Sequence, residues 1–479
     1  MQFSRITPRV PFALAGLAAI GVATLASCGG SDGGNAATTP DPQIQAAWTE
    51  MGANNQTLVR AITTSAACPA ISIDGGAGTM ALRAAQVTVP QRVTASDPAL
   101  SKPSAFPVTT CELALAPTNK EVIVGGRTLP LPKAAPQRIA ILADTGCRIK
   151  TADNAFQACS DGNAWPFATI AATIASMKPD LVMHIGDYHY RENPCPTDMA
   201  GCKNSPWGYG WDTWQADFFA PAAPLLAVAP LVVTRGNHEE CARAGQGWAR
   251  FLDVRPFTPT MSCDDAANDN AGNVSNPYAV ALGSDTQIVL FDSAKVGTTP
   301  LATTDFKFPI YQDQFKQVAT IAADKTKTTL FANHHPILAY APLAGAAPIA
   351  GNVGLQAVMK TLNPVTYYPD GVKIALHGHV HDFQAINFSS NHPATFVAGN
   401  GGDNLDVSLP DPFPTNVPVA PGAVLDRITH TNTFGFMMME RSGSGPWAFK
   451  AYTRDGKLLT TCTNSGSKIN CDKTGFLAP

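Results

Sequence analysis

The sequence predicts a layered α/β protein, and three observations carry that prediction. From about residue 137 onward, short apolar runs that read as buried strands alternate with helical stretches. Several of those runs end in polar clusters, which is where open α/β sheets bind their ligands. The composition, 45% hydrophobic against 14% charged over 479 residues, supplies a large core, and the length makes two structured units the default expectation. A formal net charge of -3 gives no basic excess, so nucleic acid is not expected as a partner.

Along the chain, residues 1–27 read as a targeting segment. Arg5 and Arg9 form a positive start, residues 10–26 are apolar or small, and Leu25-Ala26-Ser27-Cys28 resembles a bacterial lipobox. That resemblance implies lipidation of Cys28 and an exported, membrane-anchored lipoprotein on the periplasmic or cell-surface side. The alternative is an ordinary secretory signal with an incidental cysteine. Residues 28–43, rich in Gly, Ser, Thr and Pro, read as a flexible tether. No other stretch approaches the roughly 18 apolar residues that span a bilayer.

Setting Cys28 aside from the 11 cysteines leaves an even ten. They fall as near neighbours: Cys68 and Cys111, Cys147 and Cys159, Cys195 and Cys202, Cys241 and Cys263, Cys462 and Cys471. Export would let these pair as disulfides, although spacing does not fix connectivity. A thiolate metal site is the weaker reading, because no CxxC pair occurs.

The expected organisation continues with a small β-rich N-terminal unit over 44–135. Apolar positions Ile44, Ala47, Trp48, Met51 and Leu58 predict a short helix within 42–67, and β-like pieces broken by Pro and Gly follow to 132. The main domain spans 136–460. Its buried strands are expected at 138–143, 181–185, 231–234, 287–291, 329–332 and 373–376, with helices near 167–177, 211–226, 246–252 and 312–323. Hairpin-like strands follow at 434–440 and 447–452, and 461–479 reads as a C-terminal tail. Trp207, Tyr209, Trp211 and Trp214 are either a packing cluster or part of a substrate rim.

Five strands run straight into polar clusters: Asp144-Thr145-Gly146, Gly186-Asp187-Tyr188-His189-Tyr190, Gly236-Asn237-His238-Glu239, Asn333-His334-His335-Pro336 and Gly378-His379-Val380-His381. Seven of the ten histidines lie in or beside them, which a random spread would not produce. Hard oxygen and imidazole donors in this number suit a pair of di- or trivalent cations. The carboxylate of Asp187 can bridge such a pair, one oxygen facing each metal.

This set of blocks, DxG, GDxxY, GNHE, an apolar-xxH segment and GHxH, resembles the calcineurin-like metallophosphoesterase superfamily, specifically its purple acid phosphatase branch, over roughly residues 138–402. The resemblance implies a four-layer αββα sandwich and hydrolysis of phosphate esters by a metal-bound hydroxide. It implies a first metal held by Asp144, Asp187, Tyr190 and His381 and a second held by Asp187, Asn237, His334 and His379. Many relatives carry DxH in the first block; here Gly146 takes that place, and Tyr190 would supply the missing donor. A tyrosinate suits Fe(III), so the expected cofactors are Fe(III) and a divalent ion, Zn, Mn or Fe. His238 is expected to contact the phosphate and help protonate the leaving alcohol, and His335 to orient substrate or point away.

Of the remaining histidines, His184 and His377 are expected beside the ligands, His189 in a loop, and His392 and His430 at the surface. Specificity is expected in the loops 191–210, 339–353 and 403–426. The same site would also serve phosphodiesters or nucleotides, and a non-catalytic metal-binding lipoprotein is the reading from another class. The partners expected are a phosphate ester and, through Cys28, a membrane; the sequence leaves the oligomeric state open.

Overall fold

The computed structural model describes residues 40–414 and 416–479, so the expected signal segment and Cys28 lie outside the described residues. Two sheets pack face to face. The first collects β1 (Ile44–Met51), β2 (Thr57–Thr63), β3 (Ala81–Ala84), β4 (Thr109–Leu115), β5 (Arg138–Leu142), β6 (Leu181–Ile185) and β7 (Leu231–Thr234). The second collects β8 (Tyr278–Ala281), β9 (Thr286–Phe291), β10 (Thr328–Asn333), β11 (Val372–His377), β12 (Phe383–Phe388), β13 (Ala394–Ala398) and β14 (Leu425–Thr431). The chain then returns to the first sheet as β15 (Gly435–Glu440), β16 (Ala448–Thr453), β17 (Leu458–Ser465) and β18 (Lys468–Cys471), and β19 (Gly475–Phe476) ends it on the second. The strand orders are β18-β17-β16-β15-β5-β6-β7-β1-β2-β4-β3 and β8-β9-β10-β11-β13-β12-β14-β19.

Period-two side-chain alternation builds the layers. Ile139 and Ile141 of β5, Leu181, Met183 and Ile185 of β6, Ile288 and Leu290 of β9, and Ile374 and Leu376 of β11 share one core between the sheets. Their neighbours point outward and meet helices. On the first sheet Ala140, Leu142 and Val182 meet Phe167, Ile170 and Ile174 of α1 (Phe167–Ser176) and Trp248 and Phe251 of α2 (Gly245–Phe251). On the second, Val289, Phe291 and Phe331 meet Tyr311, Phe315 and Val318 of α3 (Lys307–Ala322) and Leu355, Val358 and Met359 of α4 (Val353–Leu362). The i, i+3, i+4 spacing of those helical residues puts each set on one face. Helix, sheet, sheet, helix is the four-layer αββα sandwich.

The helix expected within 42–67 does not form; β1 and β2 stand there as an antiparallel pair, and β1 also pairs in parallel with β7. Apolar positions at helical spacing misled because β1 lies inside the sheet and is buried on both faces. Trp48 faces the helical layer, Met51 the inter-sheet core, and even Glu50 is fully buried against Arg60. Residues 44–135 are β-rich as expected, and four of their strands extend the first sheet. Arg60 and Arg83 tie these strands to the end of α2, donating to the carbonyls of Phe251, Ala249 and Asp253. Residues 461–479 supply strand to both sheets.

The ten cysteines pair as their spacing suggested: Cys68–Cys111, Cys147–Cys159, Cys195–Cys202, Cys241–Cys263 and Cys462–Cys471. Five disulfides point to export into an oxidising compartment. Among the described residues no helix is long and apolar enough to cross a membrane. Trp211, Trp214 and Tyr209 belong to the core over the first sheet, which settles them as packing residues. His392 and His430, expected at the surface, are both buried, His392 near Tyr367 and Phe388 and His430 within β14 near Phe476.

Candidate metal centre

The strands that run into the polar clusters, β5, β6 and β7 in one sheet and β10 and β11 in the other, are mutually parallel within each sheet. Their carboxyl ends therefore open on the same end of the sandwich, and the five clusters meet there. Asp144, Asp187 and His379 all have left-handed backbone, with φ of 58°, 57° and 70°. Non-glycine residues rarely adopt it, and such strain gathers at functional sites.

Two knots of donor atoms result. The Tyr190 hydroxyl lies 2.9 Å from Asp144 Oδ1, 2.9 Å from Asp187 Oδ2 and 3.1 Å from His381 Nε2. His334 Nε2 lies 3.0 Å from Asp187 Oδ2, 3.1 Å from Asn237 Oδ1 and 3.3 Å from His379 Nδ1. A phenol carries one proton, which cannot satisfy three partners at once. Donor atoms crowded in this way on one point fit a cation. Asp187 joins the two knots through a single oxygen, Oδ2, since Oδ1 accepts the backbone N–H of His238 at 2.9 Å.

Charge tells the same story. His334 and His381 are buried, which opposes protonation, yet the carboxylates outweigh burial. Asp187 and Asp144 lift His334 to about 9, and Asp403 and Asp144 lift His381 to about 10. Carboxylates that raise both imidazoles against burial make a centre that attracts cations.

The absence of a histidine at Gly146 has a steric cause. A Cβ there would sit 2.8 Å from Tyr190 N, and 2.9 Å from both Tyr188 O and Tyr190 Cδ2. The loop that delivers the Tyr190 hydroxyl fills the space a larger residue would need. Asp217 holds that loop, accepting from the backbone N–H groups of Cys147, Tyr190 and Arg191 and pairing with the Arg191 side chain at 2.6 Å. Glu239 pins the adjoining turn by accepting from the N–H groups of Gly236, Asp187, Tyr188 and His189.

Both candidate catalytic histidines reach the centre. His238 lies under the Tyr190 ring, centroids 3.9 Å apart, with Nε2 3.8 Å from Asp187 Oδ2. Its Nδ1 faces Arg243 Nη2 at 2.6 Å and Glu192 Oε1 at 3.1 Å, and Glu192 and Arg243 form a buried ion pair. Burial and then Arg243 push His238 down to about 3, against Asp187 and Glu192. His335 stands beside His379, centroids 4.4 Å apart, with Nδ1 3.0 Å from Ser293 Oγ. Ser293 Oγ accepts from Asn333 Nδ2 and from the His335 backbone N–H, so its own proton goes to Nδ1. The His335 proton then sits on Nε2. His184 contacts Thr145 Oγ1 at 2.9 Å and His377 contacts the Asn333 carbonyl at 3.2 Å, both buried beside the ligands as expected. His189 is in a loop, but its ring is buried near Tyr209 and Trp214.

Sequence reasoning missed Glu192, Arg243, Asp217, Ser293 and the Arg148–Asp403 pair beside Tyr190 and His381. Ser293 lies just after β9 and Arg148 just before the short strand Ile149–Lys150, but none of these residues belongs to a recurring block.

Hard donors gathered at the strand ends of two facing sheets are the arrangement of a metallohydrolase. The family is specific: the model of the calcineurin-like phosphoesterases matches residues 137–383, and the chain belongs to that family. Its fold implies a dinuclear metal centre acting on phosphoesters. No curated protein sequence matches the chain. In structure it is similar to a purple acid phosphatase from yellow lupin (Lupinus luteus) seeds, 16% identical, with a TM-score of 0.53 over 87% of this chain and 73% of that one. A structure of PhoD aligns over 90% of this chain and 92% of that one at 11% identity, with a TM-score of 0.48. At 16% identity the likeness to the lupin enzyme is one of fold.

Proposed function

We propose that this chain is a dinuclear phosphatase of the purple acid type, hydrolysing phosphate esters, and that a lipid on Cys28 holds it to a membrane after export. The observation that carries the reading is the pair of donor knots joined at Asp187 Oδ2. Asp144, Asp187, Tyr190 and His381 would hold the first metal, and Asp187, Asn237, His334 and His379 the second. The phenol of Tyr190 in place of a first-block histidine favours Fe(III) in the first position, with a divalent ion in the second. When bound, the pair supplies Lewis acidity, an activated water and countercharge for the phosphoryl oxygens.

The rest belongs to the chain. Asp144 Oδ2 and Asp187 Oδ1 accept backbone N–H groups of His379 and His238, which aims their other oxygens at the donor knots. Arg243 can only donate, so His238 accepts on Nδ1 and keeps its proton on Nε2, facing the centre. From there it donates to a phosphoryl or leaving oxygen. Glu192 stabilises the ring whenever it is charged. His335, with its proton on Nε2, donates to substrate from the opposite sheet.

Metal analysis of the purified chain with its visible spectrum tests the proposal. Two metals including iron are expected, with a visible band that Tyr190→Phe abolishes. Two metals without iron or colour would leave a phosphoesterase of another branch. A chain that takes up no metal after reconstitution would end the catalytic reading.

A further inference from the structure

A cavity of about 100 Å³ opens beside His379, on the side of the centre made by the second sheet. Its walls are Pro336, Tyr340, Ala341, Ile349, Ala350 and Val380. Four of these come from a hairpin, Tyr340–Leu343 with Ala346–Ala350, whose arms pair antiparallel and whose sequence carries no charge. Leu343 and Ile349 on it are 44% and 50% exposed, an unusual outlay of apolar surface next to a polar centre.

The hairpin is fixed to the turn that follows the two histidines. The Asn352 N–H donates to the Pro336 carbonyl at 2.7 Å, and a Cβ at Gly351 would meet Pro336 O at 2.7 Å and Ile337 O at 2.6 Å. Gln384 holds its other end, donating to the Tyr340 carbonyl at 2.6 Å and accepting from the Tyr340 N–H at 3.2 Å. Two polar groups in the wall are used by the fold. The Tyr340 hydroxyl donates to the Val417 carbonyl at 2.9 Å, while Asn352 donates to Gly297 O and accepts from Leu355 N, each at 2.8 Å. Thr298, which is exposed, and His379 are the other polar side chains in the wall, so what faces the cavity is mainly apolar and pre-formed.

We propose that this cavity takes the leaving group, so that the chain prefers phosphate esters of apolar alcohols or phenols. The inference rests on the phosphoesterase reading and adds a substrate class to it. His379, a candidate ligand, also lines the cavity, so an ester with its phosphoryl group on the centre has its alcohol within reach of these walls. The volume is of the same order as the roughly 150 Å³ apolar cavity that holds a benzene ring. A leaving group that is itself phosphorylated would need cations to receive it. The basic side chains around the centre are already paired: Arg148 with Asp403 and Asp153, Arg243 with Glu192, Lys295 with Glu240.

The test compares n-butyl phosphate with glycerol 3-phosphate on the metal-loaded chain, since both release primary alcohols and differ in polarity. We expect kcat/KM to favour the butyl ester about tenfold, the discrimination an apolar pocket gives for a small apolar group. Ile349→Asn, at a half-exposed position on one arm, should bring that ratio near one, and Ala341→Asp on the other arm should do the same. Equal kcat/KM for the two esters in the unaltered chain, or a ratio that both variants leave in place, would overturn the substrate class while the phosphoesterase reading stands. Turnover of neither ester would take away that reading and this inference with it.

Discussion

The two sheets bring different chemistry to the centre between them. The first contributes oxygen donors, Asp144, Asp187, Tyr190 and Asn237, on turns strapped by buried acids: Glu239, Asp217 and the Glu192–Arg243 pair. The second contributes imidazoles, His334, His379 and His381, and orients its rings mainly through backbone carbonyls and one hydroxyl, with Asp406 accepting the His381 backbone N–H at 2.8 Å. His334 Nδ1 lies 2.9 Å from Ile185 O, His381 Nδ1 2.7 Å from Asn404 O, and His335 Nδ1 3.0 Å from Ser293 Oγ. The difference follows from charge. Carboxylates packed together repel and need N–H groups and cations to hold them, whereas a metal-bound ring is neutral and needs only one partner on its other nitrogen to fix the tautomer.

Asp187 is where the halves meet, so breaking it has the largest expected effect. Asp187→Asn keeps the shape but removes the charge that serves both knots. Metal content and phosphate-ester turnover should fall together, turnover by more than the roughly 10²–10³-fold that loss of one transition-state donor causes. Metal analysis beside a rate assay measures both; near-normal hydrolysis in the variant would remove Asp187 from its bridging place.

The straps should separate the halves more finely. Asp217→Asn strands the buried Arg191 guanidinium and weakens the hold on Tyr190, an uncompensated buried charge that costs about 3–5 kcal/mol. Ser293→Ala in the other half removes one hydroxyl and should cost about 1–2 kcal/mol. Urea unfolding of the disulfide-intact chain reads both. Comparable losses from the two changes would mean that the halves are not held differently.

How much of this could be read from sequence follows the same division. Strands β5, β6, β7, β10 and β11 were legible because each is buried on both faces and so reads as an unbroken apolar run. The candidate ligands were legible because each lies within a few residues of a run's end. The same burial hid β1, whose Trp48 and Met51 face opposite layers yet sit at helical spacing. The straps were not legible, since Asp217 lies within a helical stretch and reaches Tyr190 only after folding, and Arg243 sits on a loop whose sequence does not show that it turns back to Glu192. Nothing in 339–353 beyond its lack of charge said that a hairpin would wall a cavity there.

The smallest expected effect concerns protonation at the centre. His334 and His381, lifted to about 9 and about 10 by the carboxylates of the first half, titrate near 6.5 once the chain unfolds. A raised folded value means the native chain binds these protons more tightly. The stability they add is fully present below about pH 6.5 and is lost as pH rises through about 9 and 10. The chelator-treated chain should therefore show a thermal midpoint that falls across pH 7–10. The metal-loaded chain, whose carboxylates are offset by cations and whose rings are neutral ligands, should be flatter over that range. Groups away from the centre cancel in the difference between the two curves, which leaves His334 and His381 together with Glu239, raised to about 8 by burial and by Asp187. Parallel curves would mean that the imidazole half is not holding the charge of the oxygen half.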